Sequence, residues 1–257
     1  MTREQYGKIE ALNFSTIKHL LDGPAYFQYA RSHPTEETSF MRTGTGVHGR
    51  VLEGINPDEL YAIKPEGMSF ATKEGKAWRD AQTKPIISQD DHDNIFGMEK
   101  AILAHPLAKE LLDMCSDRET MATGIIGGRQ FKALLDASCP NAIMDIKKVQ
   151  DASERSFSAT VQDRHYDLQL YIYRLLHGAD YCAWIAVEEK APHGVQVFTM
   201  SNELIDSGAE KLERCLSILA ECEATGLWPA YPIPSEPLPL TLPAWRRSEL
   251  VMWGLRP

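Results

Sequence analysis

The change of texture after Cys115 constrains this chain most. Beyond it, Thr123 to Ile126 and Arg129 to Asp136 read as two strands joined at Gly127-Gly128, a two-residue hairpin signal. Cys139-Pro140-Asn141 makes the next turn, and Ala142 to Lys148 is a third strand. A helix opening near Ser156 runs to about His177. Tyr181 to Glu188 and Val195 to Met200 are two further strands, and Asn202 to Thr225 is a long helix stopped by Gly226. Before Cys115 the residues read as helices. Ser15 caps the first, with Ile17, Leu20 and Leu21 on one face, and Gly23-Pro24 ends it. Thr43 to Glu53 reads as another, closed by Gly54. Ser88 with Asp91 makes a capping-box-like start to a long helix through Ile95, Met98 and Ile102, broken near Pro106.

This order predicts an α/β layer architecture with an N-terminal helical elaboration. The expected arrangement is one domain over 1–257: a mainly helical part over 1–115, an α/β core over 116–227, and an arm over 228–257. That arm is rich in Pro and Leu, carries Trp245 and Trp253, and is expected to wrap the surface or a neighbouring subunit. A chain of 257 residues is long enough to bury a sizeable core.

Composition limits the function classes. The net charge of −9 is not the basic footprint of a DNA-coating protein, so any case for nucleic acid must rest on motifs. The 5 cysteines (Cys115, Cys139, Cys182, Cys215 and Cys222) include no CxxC pair, which argues against a disulfide framework, a zinc ribbon or a clustered iron–sulfur site. No apolar run approaches the ~20 residues of a membrane span, and the first residues lack the apolar stretch of a secretory signal. A cytoplasmic protein with no membrane association is expected.

Asp145-Ile146-Lys147 is the centre of the chemical argument. On a strand, side chains at i and i+2 share a face, so Asp145 and Lys147 project together while Ile146 turns into the core. Asp136 ends the preceding strand, and a short hairpin brings it back beside Asp145. Two carboxylates and a backbone carbonyl suit Mg²⁺, a hard cation that takes oxygen ligands. The lysine can orient or deprotonate water and stabilise a charged transition state. An exposed cross-strand Asp/Lys contact fits the same residues, and the motif alone leaves both readings open. His48 lies on the helix after Thr43, where a structural role is equally open. Gln169 and Tyr173, four apart on the helix that follows the D-x-K strand, share a face and reach one groove; an ordinary amphipathic helix has the same pattern.

The order His48, Asp136, Asp145-x-Lys147, Gln169-x-x-x-Tyr173 resembles the PD-(D/E)XK nuclease superfamily in its RecB-like branch, and more narrowly the RecE-type (exonuclease VIII) phage exonucleases. Further segments carry the likeness: Leu12 to Lys18, Gly23 to Phe27, Thr43 to His48, Gly75 to Arg79, Val187-Glu188 and Trp228 to Tyr231. The resemblance implies a PD-(D/E)XK nuclease core, a central mixed sheet flanked by helices. It implies that Asp136, Asp145 and the Ile146 carbonyl bind Mg²⁺ (Mn²⁺ as a substitute), that His48 completes the shell, and that Lys147 serves the attacking water. Gln169 and Tyr173 then support the site and the DNA strand, and Ser15, Arg42 and Lys148 are candidates for holding phosphate. The implied reaction is 5′ to 3′ hydrolysis of duplex DNA from an end, leaving a 3′ single strand. Its implied setting is a ring-shaped homo-oligomer, a tetramer or alternatively a trimer, beside a RecT-like single-strand annealing protein. A RecB-like nuclease acting on single strands and a catalytically silent DNA-binding phage protein are the alternatives. The chain departs from the family pattern in having Leu134-Leu135 before the first Asp and Lys148 after the lysine.

Overall fold

The computed structural model describes residues 6–33, 37–232, 234–243, 246–248 and 252–253. Trp245 lies outside them. The helical part begins with α1 (Phe14–Ile17), prolonged by a tighter turn over Lys18–Leu20. Its cap is Asn13, two residues before the expected Ser15, because the Asn13 carboxamide oxygen accepts the Thr16 N–H at 3.0 Å. Then come α2 (Pro24–Ser32), α3 (Ser39–His48) with a wider turn over Gly49–Glu53, and α4 (Pro57–Leu60). Thr38 caps α3, so the helix begins at Ser39, four residues before the expected Thr43, and left-handed Gly54 closes its last turn as expected. A short parallel pair, β1 (Ala62–Ile63) and β2 (Ile86–Ile87), brackets α5 (Lys73–Asp80). The Ser88–Asp91 capping box opens α6 (Gln89–Ala104), and Pro106 starts α7 (Pro106–Met114).

The core sheet holds β3 (Asp117–Ile126), β4 (Arg129–Cys139), β5 (Ala142–Val149), β6 (Tyr181–Glu188) and β7 (Val195–Thr199), in that spatial order. β5 and β6 run parallel, joined by a crossover through α8 (Glu154–Asp163) and α9 (Tyr166–His177); the other neighbours are antiparallel. The last helix is α10 (Asn202–Thr225), ended by Gly226 in the left-handed region.

Both faces of the sheet are covered. Ile143, Trp184 and Ala186 pack with α8, α9, α10 and α1 through Phe157, Leu168, Leu212 and Ile17. Met144, Ile146, Ala183 and Ile185 pack with α3, α6 and α7 through Val47, Ile95 and Leu111. The strict two-residue alternation along β5 therefore decides which helix layer each side chain meets.

The expected single helix from Ser156 to His177 is two helices. The break falls at His165, whose φ of 57° is left-handed. Asp167, just beyond the break, is fully buried and holds it: its carboxylate takes the Lys211 ammonium at 2.7 Å and the Ser207 hydroxyl at 2.6 Å, both from α10. Removing one partner of a buried pair strands the other charge. Lys211→Ala is therefore expected to destabilise the fold by about 3 kcal/mol in urea unfolding. The double change Asp167→Asn/Lys211→Met is expected to recover most of that loss.

The start of the C-terminal arm packs on its own chain. Trp228 stacks on Phe27 at 6.0 Å, Ala25 donates its N–H to the Pro229 carbonyl, and the Tyr26 and Tyr231 hydroxyls meet at 3.0 Å. Further along, Leu238 and Leu240 are exposed, as is Trp253.

Candidate active site

β4 and β5 pair only through Ala137–Met144, Ser138–Ile143 and Cys139–Ala142, next to their turn. Beyond those pairs the strands part, and the fork opens at Asp136 and Asp145. The Asp136 carboxylate takes over the ladder's role there, accepting the Ile146 N–H at 2.7 Å. On the other side, β3 is also distorted. Its pairing with β4 skips from Arg118–Ala137 to Thr120–Leu135, and Glu119 between them has φ +48°. Glu119 thus stands opposite Asp136 with its backbone in a conformation that side chains rarely adopt.

His48, at the end of α3, reaches into this fork. Its Nε2 lies 3.1 Å from the Ile146 carbonyl oxygen, and its Nδ1 lies 3.4 Å from Asp136 Oδ1 and 3.9 Å from Glu119 Oε1. One ligand atom each from His48, Glu119 and Asp136 lie within 4.8 Å of one another. Two carboxylates, an imidazole and a carbonyl form a donor set of the kind that takes Mg²⁺ or Mn²⁺. Two carboxylates confined in so buried a space also repel one another unless a cation lies between them. The residues present fit a divalent cation.

Asp145 and Lys147 lie on one face of β5, as their spacing requires, with Lys147 Nζ 2.5 Å from Asp145 Oδ2. Burial pushes the Asp145 carboxyl up to about 6, against the pull of Lys147. Burial also works against the Lys147 charge, but Asp145, Tyr166 and Asp136 more than offset it, so the ammonium is held above its ordinary range. For His48, burial disfavours the imidazolium, yet the adjoining Asp136 carboxylate reverses the balance and raises its pKa. The Asp136 carboxyl is held low despite its burial, chiefly by His48.

The supporting residues divide. Gln169 donates to the Tyr173 hydroxyl at 2.9 Å. Burial, then the Asp145 charge, keep that phenol protonated far above its usual range. Ser15 is exposed on α1. Arg42 lies on α3 with its buried Nε unpartnered. Lys148, a candidate for holding phosphate, lies on the other face of β5 from Lys147. It follows Lys147 by one residue, so the alternation of the strand turns it to the opposite face. There its ammonium binds Glu189 at 2.6 Å and Thr43 at 2.7 Å over the Phe40 ring.

Sequence reasoning missed three neighbours of the site. Glu119 was legible from the hairpin: Ile126 pairs Arg129 across the turn, and counting outward places Glu119 opposite Asp136. Tyr166 sits under Lys147, with Nζ 4.6 Å from its ring centre, and follows the His165 break that no local pattern announced. Lys18 lies near enough to feel Arg164 and Lys147; burial first, then those cations, lower its pKa.

A mixed sheet between helical layers, forked where a strand bearing D-x-K meets a second carboxylate and a helical histidine, is the PD-(D/E)XK nuclease fold. A family model agrees over residues 13–236, and the chain belongs to that family, the PDDEXK-like domain of unknown function DUF3799. Among solved structures, a protein of Eubacterium rectale provisionally assigned as an exonuclease shares the fold. Its TM-score is 0.60 at 15% identity, over 86% of this chain and 87% of that one. More distant likenesses include a phage-related exonuclease from Haemophilus somnus (TM-score 0.36, 14% identity, 64% of this chain and 91% of that one). An alkaline exonuclease from Laribacter hongkongensis is similar at TM-score 0.32 and 17% identity, over 49% of this chain and 67% of that one. No curated protein sequence matches the chain. Among the described residues, no helix is long and apolar enough to cross a membrane.

Proposed function

We propose that this protein is a Mg²⁺-dependent exonuclease that degrades duplex DNA from an end, 5′ to 3′, and leaves a 3′ single strand. The observation that carries the reading is the fork itself. His48, Glu119 and Asp136 converge within 4.8 Å, and a paired, buried Asp145–Lys147 lies beside them. The exonuclease assignment of the Eubacterium rectale protein of like fold supports it.

His48, Glu119, Asp136, Asp145 and the Ile146 carbonyl would hold the cation. When bound, the cation supplies a Lewis acid that neutralises charge on the phosphate and on the departing 3′ oxygen. Lys147 keeps its proton, so it acts as a fixed cation and donor that orients the attacking water and the phosphate. The Tyr173 hydroxyl, also protonated, is buried with Gln169 within reach of the Asp145 charge.

A free-end requirement and a ring belong to the same proposal. A chain with net charge −9 holds DNA poorly through phosphate contacts alone, whereas encirclement retains the substrate topologically. Subunits joined head to tail close into such a ring, here a tetramer or a trimer. The exposed Leu238 and Leu240 of the arm are available to bridge subunits. A RecT-like single-strand annealing protein is the expected consumer of the product strand.

The test is a duplex labelled at its 5′ or 3′ ends, incubated with Mg²⁺ beside closed circular DNA, with the oligomer measured by light scattering. Release of 5′ label from the linear substrate, intact circles and a closed oligomer are expected. Efficient cutting of circles overturns the end dependence. A monomer that degrades linear duplex processively overturns the ring.

A further inference from the structure

A second basic feature lies away from the fork, in the helical part. The segment from Ser69 to Asp80 is built as a unit. Thr72 caps α5 by accepting the Gly75 N–H at 3.0 Å, and a Cβ at Gly75 would come within 2.0 Å of the Ser69 carbonyl oxygen. Only glycine lets the loop fold back this closely on the helix. The result places Phe70 and Trp78 face to face, with ring centres 6.3 Å apart and planes 15° from parallel. Lys64 Nζ lies 5.2 Å from the Phe70 ring centre.

Phe70, with Trp78 stacked on it, lines a groove of about 470 Å³ together with Arg42, Lys64, Arg79, Lys84 and Asp91, among others. Four cations face a single carboxylate among those six, in a chain whose total charge is −9. That carboxylate is already engaged: Asp91 accepts from the Ser39 hydroxyl at 3.0 Å and the Ser88 N–H at 3.3 Å. Arg79 pairs with Asp80 at 2.8 Å, but both are exposed, and such pairs hold weakly. Lys84 reaches only the Asp58 carbonyl, at 2.8 Å. Arg42 brings a buried Nε with no hydrogen-bond partner. A buried donor left without an acceptor is costly, and an incoming anionic oxygen relieves that cost.

We propose that this groove binds a single strand of DNA, with phosphates on Arg42, Lys64, Arg79 and Lys84 and bases against the Phe70–Trp78 pair. The choice of a single strand follows from the aromatics. Stacking on a side chain needs a free base face, which duplex DNA hides within its own stack. Position agrees with this. Arg42 lies on the helix that carries His48, six residues earlier and about 9 Å along the axis. The inference rests on the exonuclease reading, for which a single strand is the product.

The experiment uses the full-length protein with EDTA and a fluorescein-labelled oligothymidylate, read by anisotropy. Arg79→Glu/Lys84→Glu is expected to weaken binding at least tenfold. It is also expected to flatten the salt dependence by about 0.7 in slope for each phosphate that the groove no longer neutralises. Trp78→Leu is expected to weaken binding about tenfold, as removal of one stacked base does. Arg79→Lys/Lys84→Arg is expected to bind like the wild type. The two charge variants are expected to keep the wild-type melting temperature, because Arg79 and Lys84 are exposed. Unchanged oligothymidylate affinity in the charge-reversed variant overturns the proposal, as does an equal loss for duplex and single strand. Wild-type protein that binds the strand through these residues but never cleaves DNA sinks the exonuclease reading alone.

Discussion

Lys147→Ala is expected to lower kcat by about 10²–10³-fold, the usual cost of removing one preorganised donor from a charge-developing site. Duplex affinity is expected to stay within about twofold, because a single cation contributes little to binding spread over many phosphates. The expectation comes from where the ammonium sits. It is anchored by Asp145 at 2.5 Å and by the Tyr166 ring at 4.6 Å, with little of the side chain exposed. Its pKa is held above the ordinary range, so it acts while charged, and glutamine or alanine has no substitute for that charge. Single-turnover cleavage and binding in EDTA separate the two quantities. Near wild-type turnover of Lys147→Ala with Mg²⁺ removes the residue from the mechanism.

The second large effect concerns the cation. Wild-type protein at a hundredfold excess of Mg²⁺ over its Kd is expected to gain about 2.7 kcal/mol of stability from binding alone. Asp136→Asn and Glu119→Gln are each expected to abolish that gain and the nuclease activity with it. Asp136→Asn retains an oxygen for the Ile146 N–H, so the fork is expected to keep its shape and calorimetry to show a folded protein. Mg²⁺ affinity is also expected to fall below pH 6. The Asp145 carboxyl, pushed up to about 6 by burial, must lose its proton to meet a cation. One pH unit below that value about a tenth remains ionised, so binding at pH 5 is expected to be about tenfold weaker. His48, raised in pKa, works in the same direction, because only neutral imidazole is a ligand. A melting temperature that Mg²⁺ does not move, in wild type at pH 7, rules out the cation site.

Much of the fold was legible because local signals repeat there without conflict. The Gly127-Gly128 turn, the Ser88–Asp91 capping box, the Pro106 break and the Gly226 stop all fall where their chemistry demands. These features depend on a few neighbouring residues, and no distant contact has to overrule them. The break at His165 is different. Its sequence continues a helical pattern, and what lies beyond the break is a distant contact, Asp167 buried against Lys211.

The site divides in the same way. Strand alternation by itself put Asp145 and Lys147 side by side, and the same rule should have sent Lys148 to the other face, where Glu189 and Thr43 hold it. Residue order marked His48 and Asp136 as partners of the D-x-K strand. Only the tertiary structure decided the distances between them, the splaying of β4 from β5, and the left-handed Glu119 that joins the cluster. It also decided that Phe70 and Trp78 stack beside a basic groove, since loop closure over Gly75 brings them together. Periods of two and 3.6 residues are properties of a chain segment and are written locally. Convergence of groups 98 residues apart, as for the His48 ring and the Ile146 carbonyl, is set by how helical layers pack on a sheet, and no local pattern encodes it.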